Sequence, residues 1–334
     1  MKKLLFLLII LVFLTSCSYI DQMKRDITGG AIINEGLNEQ GIRLDSGKID
    51  VYFCPRDNCE EKLINIIKES QKVNCAFYEL NLNNLAGFLI EKNASVVVDN
   101  DNYDKSRKLI SSIKKDNRTA LMHDKFCIFD GKIISTGSFN PTVNDNTKNN
   151  NNLVIISSEY LAGNYNDEFQ SFLADKFGKD EKVKYSKIIL NNEVLIENYF
   201  CPEDNCEQHV YDVINKAKRR IYFMAFSFTS DKLGDLVIKK SNETEVKGIF
   251  EKTQGTTEYS EYNNMKKAGL NVIFDKNPKF MHHKVFIVDD TVITGSYNPT
   301  SSGNYNNDEN VVIIYDDVIA DKFIEEFDYV WKLK

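Results

Sequence analysis

A chain of 334 residues has room for two domains of ordinary size, each with its own core. With 42% hydrophobic and 27% charged residues, it is neither a disordered nor a fibrous chain by composition. A net charge of −7 argues against a protein that coats nucleic acid by bulk charge, and leaves room for a local basic groove.

Residues 1–17 read as a signal segment. Lys2 and Lys3 precede an apolar run from Leu4 to Leu14, too short for a comfortable bilayer span of about 20 residues. Leu14-Thr15-Ser16-Cys17 follows and resembles a lipobox, with Cys17 as the lipidated first mature residue. An uncleaved anchor or an ordinary signal is the alternative. Each version puts the rest of the chain outside the cytoplasm, in the cell envelope or beyond it. Residues 18–48 have no partner later in the chain and read as a spacer from the membrane.

From residue 49 the chain is written twice. Each copy opens with an apolar strand, Ile49 to Phe53 and Val194 to Phe200, ending at a Cys-Pro pair. Tyr-Phe-Cys-Pro-Arg-Asp-Asn-Cys-Glu, with Cys54 and Cys59, is answered by Tyr-Phe-Cys-Pro-Glu-Asp-Asn-Cys-Glu, with Cys201 and Cys206. In an oxidising compartment the simplest outcome is two local disulfides. The spacing also permits a four-cysteine zinc site, and sequence alone does not fix the connectivity. Cys75 and Cys127 lie singly in apolar runs and read as core.

An amphipathic helix follows in each copy, with Leu63, Ile66 and Ile67, then Val210, Val213 and Ile214. Asp57 and Asp204 stand where helix caps are expected. A buried strand comes next, Val73–Tyr78 and Ile221–Phe228, and helix–strand alternation leads on. Each copy closes with an apolar strand and a helix, Glu159–Phe177 and Val318–Trp331. This pattern predicts an α/β fold of two lobes, 49–180 and 181–334, each a mixed sheet flanked by helices.

The chemistry sits in His-x-Lys-x4-Asp, which occurs as His123, Lys125, Asp130 and again as His282, Lys284, Asp289. Residues two apart on a strand face one side, so histidine and lysine point together. A lone histidine in an apolar strand is more often a core residue than a catalyst. A lysine beside it fits a core badly, because burying it unpaired is costly. Gly-Ser-x-Asn then follows in both copies, giving Ser138 and Asn140, then Ser296 and Asn298. These are donors suited to phosphoryl oxygens. Recurrence of the whole set in one order makes the functional reading the stronger one.

These paired motifs resemble the phospholipase D superfamily. Met281 to Thr300 and Lys247-Gly-Ile-Phe-Glu-Lys-Thr-Gln254 look most like its small bacterial endonuclease branch. The resemblance implies a pseudo-twofold axis between the lobes and two histidines facing one phosphate. It implies a phosphohistidine intermediate with neither metal nor cofactor. Both motifs lie in one chain, so a monomer suffices for a complete site.

The family carries a glutamate about ten residues past the asparagine, which orients a catalytic histidine. Glu309 fits that place, while the first copy has Asn151 there. In two-motif relatives the first histidine is usually the nucleophile, and Asn151 puts that habit in question for His123. DNA or RNA is the expected substrate, with membrane phospholipid second and a non-catalytic nucleic-acid-binding role third. The tract Asn144 to Asn152 reads as a solvated loop. Lys252, Lys266, Lys267, Lys276 and Lys279 form a possible track for a phosphate backbone.

Overall fold

The computed structural model describes residues 37–38, 41–178 and 181–333. The signal segment with Cys17, and most of the spacer, lie outside the described residues. The chain forms two compact units, Met1–Leu44 and Asp45–Lys334. In the first, Asn38 turns back on Ile42, its amide donating to Ile42 O at 2.9 Å. All that follows concerns the second.

The first copy builds a sheet in the order Ile49–Cys54, Asn151–Ser157, Ile133–Gly137, Lys125–Phe129, Val73–Phe77, Ser95–Val98, Lys114–Lys115. The second copy repeats that order with Val194–Cys201, Glu309–Tyr315, Thr291–Gly295, Lys284–Val288, Arg220–Ala225, Glu245–Phe250, Asn271–Phe274. Lys187–Leu190 pairs with Val194–Cys201 on its outer side. In both sheets the last three strands are parallel and the others antiparallel. Between the corresponding parallel strands the first copy has the short helices Asn100–Asn102 and Tyr103–Ser106, and the second has Lys252–Gly255 and Tyr262–Lys267.

Two long helices lie between the sheets. Ser158 caps Glu159–Leu173, its hydroxyl accepting from Leu161 N at 3.1 Å. Asp316 caps Asp317–Lys332 in the same way, at 2.7 Å from Ile319 N. Leu161, Tyr165, Phe169 and Phe172 form a buried stripe on one helix, and Ile319, Phe323, Phe327 and Val330 on the other. Their partners cross between the copies: Phe53 meets Phe323 at 5.1 Å between ring centroids, and Tyr165 meets Phe200 at 5.0 Å. Burying one such ring stabilises by roughly 1.5–3 kcal/mol. The lobes therefore share their largest core and are one folded body, with a second core under the outer helices of each sheet.

Asp57 and Asp204 do not cap the helices that follow them. Asn58 and Asn205 occupy the cap positions, both with left-handed backbones. The aspartates instead close the Cys-Pro turn: Asp57 Oδ2 accepts from Phe53 N at 2.7 Å and Asp204 Oδ2 from Phe200 N at 2.9 Å. The first long helix stops at Leu173 rather than Phe177, whose ring folds back onto Phe172 at 5.0 Å.

Cys54 bonds Cys59 and Cys201 bonds Cys206, so these thiolates are not available to zinc. Cys75 and Cys127 are not free core thiols. They face each other across antiparallel strands and form a third disulfide, closing a separation of 52 residues. Loop-closure entropy assigns this long link about 4 kcal/mol, against about 2 kcal/mol for a five-residue link. A Cys75→Ala/Cys127→Ala variant is expected to lose more unfolding free energy in denaturant titration than Cys54→Ala/Cys59→Ala. Equal or reversed losses would contradict this ordering.

Candidate active site

Each histidine stands just before the first residue of a central strand, and each is tied to the opposite copy. His123 N donates to Asp308 O at 2.9 Å, and Asp308 N returns a bond to Leu121 O at 2.9 Å. His282 N donates to Asn150 O at 2.8 Å, and Asn150 N to Phe280 O at 2.9 Å. Asp308 and Asn150 directly precede Glu309 and Asn151, so this stitching delivers each orienting residue to the other copy's ring. His123 Nδ1 lies 2.8 Å from Glu309 Oε2. His282 Nδ1 lies 2.9 Å from Asn151 Oδ1. The orienting residues therefore cross between the copies: the second copy's glutamate bonds the first histidine, and Asn151 bonds His282.

The serines cross over as well. Ser296 hydrogen-bonds to His123 through its backbone, and Ser138 to His282. The hydroxyls of these serines are committed elsewhere. Ser138 Oγ accepts from Asn152 N at 3.0 Å, and Ser296 Oγ from Asn310 N at 2.9 Å. Glycine is required just before each serine. Gly137 and Gly295 have φ of 130° and 139°, and a Cβ there would stand 2.4 Å from Asn152 O or 2.2 Å from Asn310 O. The serines thus fasten the loop to the strand.

Lys125 and Lys284 lie beside the two histidines. Each ammonium donates to the carbonyl of its own motif's histidine, at 2.9 Å for Lys284 and His282. Each also lies over an aromatic ring, Tyr78 at 5.2 Å and Phe226 at 4.8 Å. The same rings stand edge-on to His123 and His282, at 4.9 and 4.6 Å between centroids. Tyr78 and Phe226 carry no motif of their own. Their only sequence signal is an aromatic just past the same strand in both copies.

Asp130 and Asp289 do not belong to the site. Each follows its strand at the far end, about 16 Å of extended chain from the lysine. Asp130 Oδ1 accepts from Gln71 N at 2.9 Å and Lys72 N at 2.7 Å. Asp289 binds the amides of Lys218, Arg219 and Arg220 at 2.8, 2.8 and 3.0 Å. Both have left-handed backbones and lock a turn to the start of the neighbouring strand.

The Asn144 to Asn152 tract is not a solvated loop. Asp145, Asn149, Asn150, Asn151 and Asn152 are all buried. Asp145 Oδ2 accepts from Asn140 Nδ2 at 3.0 Å and lies 3.6 Å from His282 Nδ1. Asn140 Nδ2 is thus bound to a carboxylate, and Asn140 Oδ1 and Asn298 Oδ1 are alike without a partner among the described residues. The free position between histidine and lysine also does work. Asp124 Oδ1 accepts from Asn310 Nδ2 at 2.5 Å, and His283 bridges Asn152 Oδ1 at 3.3 Å and Glu326 Oε1 at 3.0 Å. With Thr136 to Asn310 and Asn152 to Thr294, at 2.6 and 2.7 Å, these bonds join the two sheets.

Burial dominates the electrostatics. It holds His123 and His282 well below the ordinary imidazole value, with Lys125 and Lys284 pushing the same way. His282 is also lowered by His123, which places both rings in one field. Burial brings Lys125 down to about 8 and raises Glu309 to about 8. Two lysines and two imidazoles gathered in one buried site suit an anion. Among the described residues no group of three or more His, Cys, Asp or Glu is arranged to hold a metal ion. Of the five lysines ahead of the second motif, Lys276 and Lys279 line an open pocket of about 460 Å³ with Lys148, Asn150, Asn277 and Tyr329. Lys252 sits on the helix Lys252–Gly255, and Lys266 and Lys267 on Tyr262–Lys267.

Two histidine–lysine pairs on this duplicated fold define a phosphodiesterase of the phospholipase D superfamily. The chain belongs to the family described as cardiolipin synthase, phospholipase D-like domain, whose model matches residues 52–173 and 210–331. It is 28% identical over 148 residues to a phospholipase D of Rickettsia bellii, covering 44% of this chain and 74% of that protein. It is 36% identical over 118 residues to the Homo sapiens mitochondrial cardiolipin hydrolase, covering 35% of this chain and 47% of that protein. The chain thus spans about half the length of the human relative. A phosphatidylserine synthase from Haemophilus influenzae shares the fold over 83% of this chain and 85% of that one, with TM-score 0.62 and 12% identity.

Proposed function

We propose that this chain hydrolyses phosphodiesters without a metal, through a covalent phosphohistidine on His123, and that its substrate is nucleic acid. The observation that carries the mechanism is the unequal pair of orienting bonds. A phosphohistidine with a proton on Nδ1 is cationic for its whole lifetime, and Glu309 at 2.8 Å, as carboxylate, supplies the counter-charge. Asn151 fixes the tautomer of His282 through Nδ1 and leaves Nε2 free to carry a proton to and fro.

In the first step Nε2 of His123 attacks phosphorus, and the P–O bond to the leaving group breaks. His282 enters this step as the imidazolium, and the departing oxygen takes the proton on its Nε2. In the second step His282 accepts a proton from water, the resulting oxygen bonds phosphorus and the P–N bond breaks. Lys125, Lys284 and Asn298 hold the phosphoryl oxygens as charge redistributes. Both rings come from one chain, so a monomer is a complete catalyst.

A polyanionic substrate is supported by Lys148, Lys276 and Lys279, which line a pocket together with Asn150, the residue whose carbonyl holds His282. Phospholipid is the second reading, favoured by the names of the phospholipase D and cardiolipin hydrolase relatives. Export as a Cys17 lipoprotein agrees with three disulfides in the described residues.

The deciding experiment offers plasmid DNA, an RNA oligonucleotide, and vesicles of phosphatidylcholine or cardiolipin to purified protein in EDTA. Cleavage of nucleic acid with intact vesicles is the expected result. Release of headgroup alone would replace the substrate, and activity that vanishes in EDTA and returns with a divalent ion would sink the metal-free mechanism.

A further inference from the structure

The surroundings of the two rings differ by more than Glu309 against Asn151. Asp145 lies in the short helix Val143–Thr147, where the Thr142 hydroxyl accepts from Asp145 N at 3.2 Å. The counterpart helix Ser301–Tyr305 has Thr300 accepting from Gly303 N at 3.0 Å. Asp145 and Gly303 are 158 residues apart, the spacing that also relates Asn140 to Asn298 and Asn151 to Glu309. At this pair of matched positions the carboxylate is in the first copy; at 151 and 309 it is in the second. A Cβ on Gly303 would stand 2.4 Å from Asn298 O, so the second copy has no room for the first copy's solution.

We infer that Asp145 is the positioning residue that gives His282 the negative charge Glu309 gives His123. This rests on the two-histidine reading of the site. Asp145 Oδ2 lies 3.6 Å from His282 Nδ1, too far for a hydrogen bond and close enough for strong Coulomb attraction in a buried site. Asn140 N at 2.8 Å, Asn140 Nδ2 at 3.0 Å and Asn149 Nδ2 at 2.5 Å hold the carboxylate in place without neutralising it. The charged groups within its field are His282, Lys284 and Lys125.

Two duties that one glutamate performs for His123 are therefore divided for His282. Asn151 holds the tautomer, and Asp145 supplies the charge. The division suits a ring that must release its proton as readily as it takes one. A carboxylate in direct contact would hold the imidazolium more tightly than one at 3.6 Å.

The test uses full-length protein saturated with inorganic phosphate, which places an anion between the rings, and follows the histidine ring nitrogens by NMR across pH. Asp145→Asn keeps the shape and removes the charge. The His282 midpoint is expected to fall by about one pH unit while that of His123 stays put, as expected for loss of a nearby opposite charge. Turnover should drop roughly 10–100-fold with KM changed little, as for loss of a proton-transfer partner's support. Adding Asn151→Glu to Asp145→Asn puts the charge where Glu309 carries it, and should restore most of the turnover. An Asp145→Asn variant with an unmoved His282 midpoint overturns the inference. So does a folded double variant that stays as slow as the single one. Wild-type protein that binds no phosphate would overturn the site reading itself, and this inference with it.

Discussion

His123→Ala and His282→Ala are each expected to lower diesterase turnover by on the order of 10⁴-fold, because nucleophile and proton carrier act as one unit. Bis(p-nitrophenyl) phosphate separates their roles. Its leaving group departs without a proton, so the first step does not need His282. His282→Ala should release about one equivalent of p-nitrophenolate per chain in a burst and then stall, since nothing remains to activate water. His123→Ala should show no burst. The stalled protein should carry an acid-labile p-nitrophenyl phosphoryl group on His123. A burst from His123→Ala instead would reverse the assignment, and a burst from neither variant would remove the covalent intermediate. The assignment rests on Glu309, which bonds His123 alone of the two rings.

Much of this site was legible because the sequence states it twice. One His-x-Lys in a strand competes with a core reading; two copies with trailing Gly-Ser-x-Asn do not. What stayed hidden depends on distances along the fold. Asp130 and Asp289 belong to the motif by spacing, but five strand residues carry them to the far end of the sheet, where they bind amides. Cys75 and Cys127 read as core because their pairing is a matter of register between strands 52 residues apart. The asparagine tract reads as solvated by composition. It is buried because its amides and Asp145 satisfy one another. The crossing of Glu309 to His123 requires the register between the two copies, fixed by Met122 against Asp308 and Asn150 against Met281, which no local pattern reveals. Asp145 left a faint signal: Thr-x-x-Asp answered by Thr-x-x-Gly directly after the matching Thr-Gly-Ser-x-Asn-Pro-Thr runs.

Glu309→Gln is expected to cut turnover by up to about 10⁴-fold while leaving the fold intact, the loss seen when the orienting acid of a catalytic histidine is neutralised. The pH dependence identifies the cause. Burial raises Glu309 to about 8 and pushes His123 down, so below that pH a proton rests on the pair. A protonated carboxyl donates to Nδ1 and leaves the ring's own proton on Nε2, the atom that must attack. As pH rises through about 8 the carboxylate forms, accepts from Nδ1–H and frees Nε2. Lys125, brought to about 8 by burial, loses its charge over the same range, so kcat/KM should pass through a maximum near there.

In Glu309→Gln the amide oxygen accepts from Nδ1–H at every pH. The acid limb should then follow His123 itself and move to lower pH. Stability runs the other way. A carboxyl whose folded value is raised contributes stability that is present below its unfolded value and lost as pH rises through about 8. Glutamine has nothing to ionise, so its melting temperature at pH 8–9 should equal or exceed that of the native protein. Asn151→Ala should be milder in rate, because His282 keeps Asp145 beside it. A Glu309→Gln protein with native rates, or with an unmoved acid limb, would show that the carboxylate does not set the state of His123.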